Sequence, residues 1–263
     1  MLVAIDIGNS NVSVAINSRN RWKHFWRYPT IREESPFFYS LRIKNHLLEH
    51  DIKVKKVKQV ILSSVVPPLT PVFQQILPEL FEAPLITVGP DIYPKISLNI
   101  DNPHEMGSDL IANAVAAHKI YKKDCIVVDF GTALTFTTVT KKGKVLGVAI
   151  APGLKTAIGA LFSKTAQLPE VPLEMPATPV GKNTIHAIQS GILNGYVGLV
   201  KHMLNEIRKE VGEHFIAVAT GGLSSILHPL KSEFKDIDVE LTMNGLKIIA
   251  EYVKKNGELK MEN

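Results

Sequence analysis

The chain has 263 residues, enough for a well-buried core arranged as one large or two modest domains. Its composition, 45% hydrophobic and 21% charged, is that of an ordinary globular protein, and its net charge of +5 is spread thinly, with short clusters only around Lys53–Lys58, Lys122–Lys123 and the C-terminal tail. No aromatic residues interleave with those clusters, which argues against nucleic acid as a partner, while a basic chain still favours an anionic small molecule such as a nucleotide.

The single cysteine, Cys125, rules out an internal disulfide and any cysteine-rich zinc site; lying inside a strand-like run, it reads as a small buried hydrophobe rather than a nucleophile. The chain opens directly into a strand, and no stretch reaches the roughly 18 apolar residues of a membrane span. The expectation is a cytoplasmic protein without a membrane partner. Among nine histidines none forms HExxH; His46 and His50 share a helix face and are read as solvated.

In chain order, residues 2–28 carry three strands, with a turn at Asp6–Ser10 and a polar tip at Ser18–Asn20. A helix over Pro36–Glu49 follows, with Phe37, Leu41, Leu47 and Leu48 near helical spacing. Val57–Val65 reads as a strand, Thr70–Phe81 as a helix and Leu85–Val88 as a short strand. The Pro, Asn and Asp-rich stretch from Gly89 to Met106 reads as a crossing loop. A helix over Ser108–Tyr121 precedes a second three-strand unit: Cys125–Asp129, Leu134–Thr140 and Lys144–Ile150. Then come a helix over Pro152–Lys164, a Pro-rich stretch from Leu168 to Pro179, a long helix from Asn183 to Val211, a strand at Phe215–Ala219, a short helix over Ser224–Leu230, a strand at Val239–Thr242 and a closing helix over Asn244–Lys255. The restart after residue 124 predicts two similar α/β domains, 1–105 and 106–263, each a mixed sheet flanked by helices, with the C-terminal helix packing back on the first.

Two stretches organise the chain. LVAIDIGNSN (Leu2–Asn11) and CIVVDFGTA (Cys125–Ala133) are each an apolar strand ending in Asp-x-Gly and a small polar residue. A single such turn reads as a plain hairpin, but the duplication points to a phosphate-binding site: Gly lets backbone amides approach phosphate oxygens, Ser10 or Thr132 adds a donor, and the carboxylate holds a cation. Neither GxGxxG nor GxxxxGK[ST] is present.

The ordered set Asp6-Ile-Gly-Asn-Ser-Asn11, Ser63-Ser-Val-Val-Pro67, Gly107-Ser-Asp109, Asp129-Phe-Gly-Thr-Ala133, Ala151-Pro-Gly153, Gly181-Lys-Asn-Thr184 and Thr220-Gly-Gly222 resembles the type III pantothenate kinases. These belong to the superfamily of acetate and sugar kinases, heat-shock ATPases and actin. The resemblance implies two domains of the actin-like ATPase (ribonuclease H-like) type with nucleotide between them. It also implies phosphorylation of pantothenate by ATP to 4'-phosphopantothenate, the first step of coenzyme A synthesis, with Mg²⁺ and a monovalent cation (K⁺ or NH₄⁺), in a homodimer.

Carried over by position, Asp109 matches the catalytic base. Asp6 matches a Mg²⁺ ligand acting through water, and Ile7, Gly8, Asn9, Ser10, Asn11, Val12, Ser13, Thr132, Gly221 and Gly222 match ATP contacts. Asp129 matches the monovalent-cation position, and Gly107, Ser108, Leu110, Thr184 and Ile100 match substrate contacts. From the residues alone, Asp109 is also an ordinary helix-start acid and Asn183 or Thr184 an ordinary helix cap.

Two positions depart from the family pattern. Leu110 stands where Arg usually follows the catalytic Asp, and Ile100 where a Tyr is common; neither can donate a hydrogen bond to a substrate carboxylate. Lys95, His104 and Lys182 are candidate replacements. The alternatives are a kinase of the same superfamily for another small alcohol, or a non-catalytic nucleotide-binding relative; three retained carboxylates that repel one another without cations argue against the latter.

Overall fold

The computed structural model describes residues 1–164, 168–224 and 226–258. The elements of the first half are β1 (Leu2–Ile7), β2 (Asn11–Ser18), β3 (Arg21–Pro29), α1 (Pro36–Glu49), β4 (Gln59–Ser64), α2 (Thr70–Phe81), β5 (Leu85–Thr87) and α3 (Ser108–Tyr121). Then follow β6 (Cys125–Phe130), β7 (Ala133–Val139), β8 (Val145–Pro152), α4 (Leu154–Ser163), α5 (Thr184–Gln189), α6 (Gly195–Val211), β9 (Ile216–Thr220), β10 (Asp236–Ile237) and α7 (Leu241–Glu258). They form two compact units, Met1–Ala116 with the chain from Thr242 onward, and Ala117–Leu241.

In the first unit the sheet order is β3-β2-β1-β4-β5, the first three strands antiparallel and β1, β4 and β5 parallel. Strand periodicity sends Val3, Ile5 and Ile7 to one face, against Tyr39 and Ile43 of α1 and Phe73 and Leu77 of α2. Ala4 and Ile61 face the other way, against Ile111 and Val115 of α3 and Leu246 and Ile249 of α7. Each such fully buried Ile or Leu contributes about 1.5–3 kcal/mol. The helices α3 and α7 approach so closely that a Cβ on Gly245 would collide with the Ala112 carbonyl.

The second unit repeats this wiring. Its sheet runs β8-β7-β6-β9-β10, with β6, β7 and β8 antiparallel and β6, β9 and β10 parallel, so each strand has a counterpart in the first sheet. Ile126, Val128 and Phe130 pack against Tyr196, Val200 and Leu204 of α6.

Four local expectations differ from the structure. In α1 the buried face is Tyr39, Ile43 and Leu47, while Phe37, Leu41 and Leu48 are exposed; the i, i+4, i+8 row that meets Phe73 of α2 decided the orientation. The single helix from 183 to 211 is interrupted at residues 190–194 by a wider turn, where Ser190 Oγ donates to the Pro179 carbonyl and Asn194 Nδ2 to Ser190 Oγ (3.2 Å). The last strand is Asp236–Ile237 rather than Val239–Thr242, because the Asp238 carboxylate accepts from Glu240 N (2.9 Å) and starts α7 at Leu241. The short helix expected over 224–230 falls partly outside the described residues; a 3₁₀ turn occupies His228–Glu233. Among the described residues no helix is long and apolar enough to cross a membrane.

Candidate phosphate-handling site

Asp6 sits one residue before the end of β1, with Ser13 of β2 and Ser63 of β4 directly beside it in register. Register places all three side chains on the α3 face of the sheet, a polar row in an otherwise apolar layer. Ser63 Oγ donates to Asp6 Oδ1 (2.8 Å) and lies 2.9 Å from Ser108 Oγ at the start of α3, which accepts from Ser64 N (3.0 Å). Each hydroxyl has one proton, and Ser63 commits its own to the carboxylate. Ser108 therefore donates to Ser63, and the direction of the whole relay is set.

The relay ends next to Asp109. Its Oδ1 accepts from Leu110 N at 2.8 Å, in the first turn of α3, where the helix dipole favours a negative charge. Burial pushes the carboxyl above its usual range, partly offset by the amides of Leu110 and of Asp109 itself. The side chain is thus a stronger proton acceptor than an exposed aspartate, yet held by donors in its ionised form. A Cβ on Gly107 would lie 2.5 Å from Asp109 Oδ1 and 3.3 Å from Val65 Cγ1, so the carboxylate occupies the space a side chain would take.

The first turn, Gly8 to Ser10, is closed by Gly8 N donating to Asn11 O (2.9 Å). It is tied to the end of β3: Thr30 Oγ1 donates to Gly8 O (2.7 Å) and Thr30 N to Ser10 O (3.0 Å). Arg32 Nη2 also donates to Asn9 Oδ1 (3.3 Å). The side chains of Ile7 and Val12 are fully buried, which leaves only their backbone for a ligand.

The second unit carries the same device. Asp129 of β6 is flanked in register by Thr135 of β7 and Thr220 of β9, matching Ser13 and Ser63. Thr135 Oγ1 is buried and has no hydrogen-bond partner among the described residues, an oxygen suited to a hard monovalent cation beside a carboxylate. The turn Gly131–Thr132 is one residue shorter than its counterpart. It is tied to the β8–α4 junction by Gly153 N (3.0 Å) and by Thr156 Oγ1 of the first turn of α4 (2.7 Å), both donating to Thr132 O. Gly221 has φ +89°, and a Cβ there would sit 2.6 Å from Asp129 Oδ1. Gly222, in the same turn, is exposed.

Thr184 and Lys182 line a cavity of about 610 Å³ in the second unit, with Leu161, Ile188 and Ile192 as its apolar wall. Asn183 caps α5 by accepting from His186 N (2.9 Å), which leaves the Thr184 hydroxyl outside that cap. Ile100 packs against the apolar cluster of Ile92 and Ile96, and Leu110 is half-buried. Lys95 and His104 are exposed in the loop before α3. Cys125 is fully buried with its thiol pushed up to about 12, a packing residue and not a nucleophile. Sequence reasoning missed Ser63, Thr135 and Thr220 as partners of the two carboxylates; only strand register reveals them.

The comparisons agree with this construction. A family model described as type III pantothenate kinase matches residues 2–206. The chain is 40% identical over 249 residues to a type III pantothenate kinase of Citrifermentans bemidjiense, covering 95% of this chain and 98% of that one. It is 38% identical over 248 residues to one of Dehalococcoides mccartyi, covering 94% of each. Among solved structures, the activator of 2-hydroxyisocaproyl-CoA dehydratase from Clostridium difficile, with bound ADPNP, superposes with a TM-score of 0.57 over 98% of this chain and 97% of that one, at 11% identity, a likeness of fold. With two sheets of one wiring, each ending a central strand in Asp-x-Gly, and relatives this similar over nearly its whole length, the chain belongs to the type III pantothenate kinase family.

Proposed function

We propose that the chain transfers the γ-phosphoryl group of ATP to the primary alcohol of pantothenate, giving 4'-phosphopantothenate, with Asp109 as the base that accepts the hydroxyl proton. The observation that carries this reading is the serine relay from Asp6 to the helix start at Asp109, which fixes a phosphate-turn carboxylate and a proton acceptor within one rigid unit. Phosphoryl transfer needs positioning and charge neutralisation more than covalent chemistry. The tied turns at Gly8–Ser10 and Gly131–Thr132 supply backbone donors for phosphate oxygens, and the Gly221–Gly222 turn supports a contact with the nucleoside.

Asp6 and Ser13 fit a divalent cation of the Mg²⁺ kind held through water, and Asp129 with Thr135 fits K⁺ or NH₄⁺. Bound there, the cations would offset charge building on the transferring phosphoryl group. The Thr184 and Lys182 cavity of the second unit fits the substrate chain, with the Lys182 ammonium as the donor to its carboxylate.

A homodimer is supported by β8, an edge strand that exposes Leu146, Val148 and Ile150 on one side. A cytoplasmic location follows from the reaction assigned. A coupled ADP-release assay with ATP, Mg²⁺ and K⁺, with and without pantothenate, tests the function: release that requires pantothenate is expected. Nucleotide binding with no pantothenate-dependent release would move the substrate assignment to another alcohol.

A further inference from the structure

Remote from the Asp-x-Gly turns of the sheet, the last turn of α1 meets edge strand β3 through an unusual set of side chains. His46, Glu49 and His50, at i, i+3 and i+4, present ligand atoms that all lie within 4.8 Å of one another. His46 Nδ1 is 3.0 Å from Glu49 Oε2. From β3, His24 places its ring 5.0 Å from that of His50, and Trp26 stacks on His46 at 5.2 Å with the ring planes 10° apart. The two helix histidines face solvent, His50 exposed and His46 half-exposed, as the sequence suggested, and they also join a ring cluster with β3. Neither His24 nor His50 makes a hydrogen bond to another described residue through its ring.

We propose that His46, Glu49 and His50, with His24 as the fourth ligand, form a binding site for a borderline transition-metal dication of the zinc class. Three imidazoles and one carboxylate match the donors that zinc takes in tetrahedral sites. Ligands about 2.1 Å from such an ion stand about 3.4 Å apart, so the 4.8 Å spread of His46, Glu49 and His50 closes by about 1.4 Å, shared among half-exposed side chains that can rotate, and His24, outside that spread, swings in from β3. The carbonyl end of α1 adds negative potential where the ion would sit. Lys23 and Arg42 are the neighbouring opposing charges; the Arg42 guanidinium lies over the Phe38 ring at 4.5 Å and the Tyr28 ring at 5.9 Å. The ion would tie the end of α1 to β3.

The test uses the untagged full chain, stripped with a chelator, titrated with Co²⁺ by visible absorption and then with Zn²⁺ in competition. One equivalent with the intense band of tetrahedral Co²⁺ is expected. His50→Gln and Glu49→Gln, which keep side-chain volume, should each weaken binding at least tenfold, with pantothenate-kinase activity of these variants unchanged; losing a ligand costs no less than losing one of its supports, worth about 10–100-fold. The absence of saturable binding, or binding equally tight in both variants, overturns the proposal.

Discussion

Replacing Gly107 by Ala is a test of how closely the Asp109 carboxylate must be placed. Gly107 does not adopt the left-handed conformation, so alanine takes its backbone without strain, and the effect comes from contact alone. The added Cβ would lie 2.5 Å from Asp109 Oδ1, where ordinary carbon to oxygen contact begins near about 3.4 Å. The carboxylate must give way by about 0.9 Å, because Val65 at 3.3 Å closes the other side. That movement stretches the 2.8 Å hydrogen bond from Leu110 N, worth about 1.5–3 kcal/mol for a charged acceptor. Lower chain entropy in the unfolded state returns about 0.4–1 kcal/mol. Net stability therefore falls by about 1–2 kcal/mol, or about 2–8 °C in Tm for a chain of this size. Activity should fall much further, because a displacement near 1 Å at a reacting group costs about 100-fold. Steady-state ADP release at saturating ATP and pantothenate, beside a thermal melt, separates the two. A variant with the wild-type kcat would refute the placement of Asp109 as base.

Asp109→Asn should abolish pantothenate-dependent ADP release while calorimetry shows ATP binding nearly intact; comparable turnover would remove Asp109 from the reaction. Because burial raises its pKa above the ordinary 3.8, the acid limb of kcat/KM should lie above that value, and a limb at or below it would contradict the buried base. The same shift means the native state holds this proton more tightly than the unfolded chain does. The contribution to stability is present at low pH and is lost as pH rises through the raised pKa. Asp109→Asn should therefore melt no lower than wild type at pH 7. Ser63→Ala leaves the Ser108 hydroxyl without its acceptor and takes the Ser63 hydroxyl bond from Asp6, and should cost about 1–3 kcal/mol in a denaturant titration; a neutral result would dismiss the relay. If Asp129 holds the proposed monovalent cation, Asp129→Ala should lose activity together with its response to K⁺, and an unchanged K⁺ response would release Asp129 from the cation role.

Much of the site could be read from residue order, since the Asp-x-Gly turns and the Ser108 helix start are local features that carry their own signals. The bounds of α1, α2 and α3 follow from Ser35-Pro36, from a proline in the first turn of α2 and from the Gly107-Ser108 junction, all short-range. What could not be read depends on long-range register. Ser63 is 57 residues from Asp6 in the chain and becomes its partner only through parallel pairing of β1 with β4. The apolar face of α1 was misjudged for the same reason, since Phe37, Leu41 and Leu48 compete with Tyr39, Ile43 and Leu47 until α2 chooses between them. His24 is likewise too far along the chain from His46 and His50 for spacing to unite them.

The straps from Thr30 to the first turn and from Gly153 and Thr156 to the second have a thermodynamic meaning. Holding a backbone residue in one conformation costs about 1–2 kcal/mol, so ordering a loose turn on an anion would cost about 3–6 kcal/mol for the three residues Gly8–Ser10 and about 2–4 kcal/mol for the two residues Gly131–Thr132. The end of β3 in one unit and the β8–α4 junction in the other settle that cost during folding instead. On the proposed function, nucleotide affinity would be preorganised, and would reside as much in Thr30 and Thr156, which need never touch the ligand, as in the glycines that would.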